Sequence, residues 1–129
     1  MPDTDTRTAP FTEAETVHGG CHCGAVRFEA VTALDSLGDC NCSRCARLGW
    51  VMQSVPARDF RLISGAEALT PYRFNTERIE HLFCAVCGIE SFARGTDAEG
   101  QALYMVNVNC LEGVEIDRGR IHHWDGRSL

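Results

Sequence analysis

Three tight cysteine clusters constrain this chain more than any other feature of its sequence. They are Cys21-His22-Cys23-Gly24, Cys40-Asn41-Cys42-Ser43-Arg44-Cys45 and Cys84-Ala85-Val86-Cys87-Gly88, with Cys110 standing apart. Thiolates are soft ligands that suit zinc, and structural zinc sites are usually closed by four protein ligands. Closely spaced pairs bring two ligands to one ion while fixing little backbone. Cysteine used as a small buried apolar residue accounts for an isolated Cys110, and accounts badly for three clusters in 129 residues. The stretch from Met1 to Thr16 lacks the basic start and apolar run of an export signal. A reducing, cytoplasmic setting is therefore expected, where cysteines serve as metal ligands rather than disulfides.

The clusters can be matched by their turn chemistry. Cys23 and Cys87 are each followed by glycine. A tight metal-binding turn aims backbone N–H groups at the sulfurs and often needs φ > 0 at its last position, which glycine supplies. Together these two turns supply Cys21, Cys23, Cys84 and Cys87, a closed four-sulfur site. Cys45 is followed by Ala46, so the middle cluster is a different kind of loop. On a flat strand Cys40 and Cys42 would lie about 6.6 Å apart, whereas sulfurs around one zinc lie about 3.8 Å apart. The chain must bend at Asn41. Three ligands with a vacant fourth position is the pattern of catalytic zinc, unless His22, Cys110 or an acidic residue closes the site. The rival pairing joins Cys42 and Cys45 to Cys84 and Cys87 as a zinc ribbon and strands Cys21, Cys23 and Cys40. A thioredoxin-like redox pair or an iron–sulfur cluster is a weaker alternative on the same ligands.

A chain of this length is expected to form one domain with one core, here residues 17–129, preceded by a disordered tail over residues 1–16. From Val17 onward, glycine and turn residues punctuate short segments, the rhythm of a mainly β fold. Val26 to Val31 alternates apolar and polar residues as a half-buried strand does. Trp50 to Val55, Phe60 to Ile63, Arg78 to Phe83, Leu103 to Cys110 and Arg120 to Trp124 are further strand candidates. Thr96 to Gly100 reads as a turn, and no segment keeps a helical period over three turns. The net charge is −6, and every basic side chain is an arginine. Such a chain has no whole-molecule attraction for nucleic acid or anionic lipid, and no apolar run is long enough to span a bilayer. A small anionic molecule held by a local guanidinium remains compatible with it.

The three clusters, together with Gly19-Gly20 and Ala25-Val26 around the first of them, resemble the family of glutathione-dependent formaldehyde-activating enzymes, which includes the centromere-protein-V-like domains. Weaker echoes are Phe92-Ala93-Arg94-Gly95, Val106 to Leu111 and Asp125-Gly126. The resemblance implies an Mss4-like fold of small stacked antiparallel sheets held by zinc. It implies a structural zinc on Cys21, Cys23, Cys84 and Cys87, and a second, catalytic zinc on Cys40, Cys42 and Cys45. It also implies carbon–sulfur lyase chemistry of the S-(hydroxymethyl)glutathione synthase kind, on a small thiol such as glutathione and on formaldehyde. A non-catalytic, zinc-stabilised binding module of the Mss4-like type is the alternative.

Several other residues invite a functional reading. Arg44 and Arg47 flank the middle cluster and Arg94 is placed to approach it, as carboxylate holders or as ordinary solvated arginines. His122 and His123 are adjacent on a strand and so face opposite ways, which favours a structural role. His22 is expected to point outward. His81 and Glu90 are the remaining proton carriers near a cluster.

Overall fold

The computed structural model describes residues 6–73 and 79–128. Its strands are β1 (Arg7–Ala9), β2 (Glu15–Gly20), β3 (Arg27–Thr32), β4 (Gly38–Cys40), β5 (Met52–Pro56) and β6 (Phe60–Ser64). They continue with β7 (Leu69–Tyr72), β8 (Glu80–Cys84), β9 (Phe92–Thr96), β10 (Ala102–Asn107), β11 (Val114–Ile116) and β12 (His122–Trp124). One six-residue helix, α1 (Ser43–Leu48), interrupts them. Three sheets result: a large one in the order β12-β4-β5-β10-β9-β8-β7, a small one in the order β2-β3-β6, and the pair β1-β11. The fold is mainly β, built of several small sheets and consistent with the Mss4-like arrangement. Most pairings are antiparallel, but β1 with β11 and β12 with β4 run parallel.

Sequence alternation explains how the small sheet meets the large one. In β3, Phe28, Ala30 and Thr32 turn inward while Arg27, Glu29 and Val31 face outward, as the period of two requires. Phe28 stacks on Phe60 with ring centroids 5.4 Å apart and meets Phe92 edge-on at 5.9 Å. Phe60 in turn stacks on Tyr104 at 4.0 Å. Phe28 and Phe60 belong to the small sheet, and Phe92 and Tyr104 to the large one. This aromatic group is therefore the joint between the two layers, a geometry in which ring pairs add to the energy of burial.

The structure differs from the sequence-based expectation in several places, among them the strand expected from Trp50, which begins at Met52. The expected tail is ordered over its described part: Arg7 N–H donates to Gly113 O at 2.8 Å, Arg7 pairs with Glu15, and Ala9 is fully buried. Three residues of mixed polarity carry no periodicity, so tertiary pairing alone reveals this strand. The Leu103 strand stops at Asn107, and Val108–Cys110 form a 3-10 turn in which Asn107 caps Asn109 N–H. The Arg120 strand likewise begins only at His122, after a 3-10 turn over Arg118–Arg120. The strand expected from Arg78 begins at Glu80, and Arg78 itself lies outside the described residues.

Truncating Phe28 removes the ring that both sheets share. Phe28→Ala is expected to lower the unfolding free energy by about 3–5 kcal/mol, measured by denaturant titration with zinc in excess. A loss below about 1 kcal/mol would show that the ring is not the joint.

Candidate metal centres and the adjoining cavity

The chain gathers seven of its eight cysteines into two groups. Cys21, Cys23, Cys84 and Cys87 have sulfurs all within 4.8 Å of one another, and so do Cys40, Cys42 and Cys45. The zinc-ribbon pairing is not formed.

The four-sulfur group is made by two turns from different sheets. The first is the β2–β3 connection and the second is the β8–β9 connection. Gly24 and Gly88 sit at φ 85° and 82°, the left-handed conformation that a side chain would resist. Cys21 and Cys23 sulfurs are 3.6 Å apart, as are those of Cys23 and Cys84. Four sulfurs around a tetrahedral zinc stand about 3.8 Å apart, so the spacing fits such an ion. The backbone N–H groups of Val26 and Val86 donate to the sulfurs of Cys21 and Cys84 at 3.3 and 3.4 Å. Donors aimed at sulfur favour the thiolate. His22 is exposed between Cys21 and Cys23.

The three-sulfur group is local, spanning only Cys40 to Cys45. Cys40 ends β4, and the chain then turns at Asn41 so that Cys42 caps α1 and Cys45 lies on its first turn. The bend is held from the far end of the chain. Asn41 N–H donates to Trp124 O, its amide donates to Asp125, and its side-chain oxygen accepts from Arg127 N–H at 2.8 Å. Cys42 N–H points at the Cys40 sulfur, Cys45 N–H at the Cys42 sulfur and Trp50 Nε1–H at the Cys45 sulfur, each at 3.4 Å. Gly126 packs so closely that a Cβ there would stand 2.5 Å from the Cys40 sulfur. Both groups thus present converging soft donors compatible with zinc.

Protons are unevenly shared within each group. Burial pushes the Cys45 thiol up to about 12, assisted by the neighbouring Cys42 and Cys40 sulfurs and opposed by the Trp50 hydrogen bond. Cys87 is drawn down to about 6: burial opposes the shift, but backbone N–H groups and its sulfur neighbours outweigh it. A cation replaces the protons that crowded thiols otherwise keep, so loading either group releases protons and acid reverses it. Burial also pushes the stray Cys110 up to about 11, which keeps it a thiol at neutral pH. It joins neither group.

A cavity of about 400 Å³ opens against the three-sulfur group. Cys40 and Cys45 are on its wall, with Trp50 and Trp124 supplying apolar surface. Its ionisable lining, besides the cysteines, comprises Asp39, Arg118, His123 and Asp125. Asp125 is held below the usual carboxylate range by hydrogen bonds from Asn41 and Ser128. His123 Nδ1 lies 2.7 Å from Asp39 Oδ1. The register of β12 on β4 sets this pair, placing His123 opposite Asp39.

The arginines and acids singled out in the sequence go elsewhere. Arg94 is turned to Glu80, which also takes Arg73, so it does not approach the cluster. Arg47 is exposed and donates to Ser43 O. Arg44 reaches back from α1 to Glu90, which is 1% exposed and also 2.8 Å from His81 Nδ1. His81 and Glu90 are therefore committed to a buried ion network that ties α1 to β8, and neither lines the cavity. Arg118, which does line it, is carried by a 3-10 turn with no motif of its own.

The glutathione-dependent formaldehyde-activating enzyme family matches this chain over residues 16–126. Among solved structures, a crystal structure of a Rhodobacter sphaeroides protein from a structural genomics programme is similar, with 36% sequence identity and a TM-score of 0.70. That similarity covers 83% of this chain and 98% of the other.

Gly126→Ala should disturb the three-sulfur group alone, since a sulfur held by a metal cannot move aside for the new methyl. Zinc affinity at that group is expected to fall at least about tenfold, as for other changes just behind metal ligands. Competition with a chromophoric chelator measures it, and an unchanged affinity would contradict the packing described.

Proposed function

The chain belongs to the family of glutathione-dependent formaldehyde-activating enzymes, and from that premise we propose that it is a zinc-dependent carbon–sulfur lyase-type enzyme. Its substrates are a small thiol and a small electrophile, with glutathione and formaldehyde as the pair that the family's description indicates. Cys21, Cys23, Cys84 and Cys87 hold a structural zinc. Cys40, Cys42 and Cys45 hold a second zinc that is open. One observation carries the reading. The three-sulfur group faces a cavity, and among the described residues no fourth cysteine, histidine or carboxylate joins it.

The donor set decides which chemistry suits that cavity. Three thiolates around a divalent ion leave the centre net negative and a poor Lewis acid for making hydroxide. Zinc there would take a substrate sulfur as its fourth ligand and keep it anionic near neutral pH. The chain's own residues do the rest. Trp50 and the backbone N–H groups of Cys42 and Cys45 spread the charge of the three sulfurs. Arg118 adds the one positive side chain in the lining that is charged at every relevant pH, suited to a substrate carboxylate. Buried Trp50 and half-exposed Trp124 give the cavity its apolar wall. No helix of the described residues is long and apolar enough to cross a membrane. A net charge of −6 supports a small-molecule partner over nucleic acid, and free thiols in clusters support a cytoplasmic setting.

The two sites should separate on mutation. The closed site links segments 61 positions apart, as between Cys23 and Cys84, and zinc binding in small domains contributes ~10–16 kcal/mol. Cys87→Ser is expected to abolish folding, while Cys45→Ser leaves a folded protein that has lost its second metal. Cobalt-loaded wild type should change its visible spectrum on addition of glutathione and convert ¹³C-formaldehyde to the S-hydroxymethyl adduct by NMR, and Cys45→Ser should do neither. A wild-type spectrum indifferent to every thiol would instead favour a zinc-stabilised binding module.

A further inference from the structure

Residues 122–128 comprise β12 and the 3-10 turn Gly126–Ser128, and every one of them except Gly126 is exposed. Among the described residues, the hydrogen bonds that leave this segment all end on residues 37–41. His122 N–H donates to Leu37 O at 2.8 Å, His123 Nδ1 bonds to Asp39, and β12 pairs with β4. Asn41 makes the remaining bonds through three separate groups. Its N–H donates to Trp124 O at 3.1 Å, its side-chain amide donates to Asp125 Oδ1 at 3.0 Å, and its side-chain oxygen accepts from Arg127 N–H at 2.8 Å. Trp124 covers Gly38, where a Cβ would stand 2.7 Å from the indole nitrogen, and Gly126 lies against Cys40 and Cys42. The segment is docked on one short strand and one bend, and these carry two of the three clustered cysteines.

A metal on the three sulfurs requires the same bend. An extended chain keeps Cys40 and Cys42 about 6.6 Å apart, whereas a shared zinc needs their sulfurs about 3.8 Å apart. The cation and the docked segment therefore favour one conformation of residues 40–42. Two events that stabilise one conformation strengthen each other, by the same factor in either direction. A short edge pairing with exposed hydrogen bonds is also the kind of element that opens locally at low cost. The segment carries His123, Trp124 and Asp125 of the cavity lining, so its docking builds one side of that cavity. The four-sulfur group stands outside this linkage, because its cysteines come from the β2–β3 and β8–β9 turns.

We propose that Asn41 is the positioning residue that couples zinc loading of the three-sulfur group to docking of residues 122–128, so that the metal completes the cavity wall. With the group empty, the segment opens and closes on its hydrogen bonds alone. With the group loaded, the bend is fixed and the segment stays down. A substrate then meets a finished cavity only where a metal is in place beside it. Asn41 touches no substrate in this scheme. It holds the ligand bend with its backbone and the cavity wall with its side chain.

This inference rests on the second zinc of the proposed function but not on its thiol chemistry, and the experiment separates the two. Amide hydrogen exchange is followed by NMR on the full chain, comparing wild type holding two zinc ions with Cys45→Ser holding the four-sulfur zinc alone. The amides of Asn41, His122 and Arg127 should exchange about 10-fold or more slowly in wild type, as expected for linked sites. The amides of β9 and β10 should not change. Asn41→Ala should abolish that extra protection and lower zinc affinity at the three-sulfur group by a matching factor, read by competition with a chromophoric chelator. Asp125→Ala, a change on the segment itself, should lower both by a smaller factor. Both positions are exposed, and slow exchange in β9 and β10 reports that each variant is folded. Protection that the second zinc leaves unchanged would overturn the coupling and leave the second centre standing. Either variant freeing the segment without loss of affinity, or losing affinity with the segment still protected, would overturn it as well. Wild type that takes up no second zinc would overturn the second centre and the coupling together.

Discussion

The four-sulfur cluster is the constraint on which the rest of this fold depends. Two of its sulfurs come from the β2–β3 turn of the small sheet and two from the β8–β9 turn of the large one. Without a cation, four thiols within 4.8 Å of one another compete for protons and repel when ionised. With one, the same crowding becomes a cross-link between segments far apart in sequence, and the cost of closing that loop is offset by metal binding. The aromatic group of Phe28, Phe60, Phe92 and Tyr104 reinforces the same joint through burial. Sulfur and ring contacts act on one interface, which is how a chain with short strands keeps two layers in register.

The three-sulfur cluster has the opposite character. Its cysteines lie within six residues, at the end of β4 and at the start of α1, so it closes no long loop. What fixes it is the chain's last segment: Trp124, Asp125, Gly126 and Arg127 all press on Asn41 or on the Cys40 sulfur. The Arg44–Glu90–His81 network anchors the other side of α1 to β8, next to the structural turn. Such a cluster, held by its surroundings and facing a cavity, is the arrangement on which the proposed open zinc site rests. The parallel β12–β4 pair then lines that cavity with Asp39 and His123, and the preceding turn adds Arg118.

Much of this is readable from local chemistry. Glycine after Cys23 and Cys87 marks a left-handed turn end because only glycine adopts it cheaply, and both residues do so. The bend at Asn41 follows from the reach of a strand against the size of a sulfur tetrahedron. The inward set of β3 follows from alternation. What escapes the sequence is set by contacts across the chain. Asp39 and His123 are 84 positions apart and meet through a parallel edge pairing that leaves no periodic trace. Arg94 stands close to the clusters in pattern, but its strand neighbour Glu80 claims it. Cys110 looks like the end of a strand, yet the Asn107 side chain turns the backbone before it. Arg7–Ala9 is too short and too mixed to show the pairing with β11 that orders it.

The division into one closed and one open centre is tested most directly by zinc K-edge X-ray absorption on the fully loaded protein, before and after a saturating small thiol. Seven protein sulfurs shared by two zinc ions are expected at rest, with one lighter scatterer completing the ligand set of the second zinc. On adding thiol, that lighter scatterer should be replaced by an eighth sulfur at a zinc–sulfur distance of about 2.3 Å. Eight sulfurs before any thiol is added, or a spectrum that the thiol leaves unchanged, would contradict it.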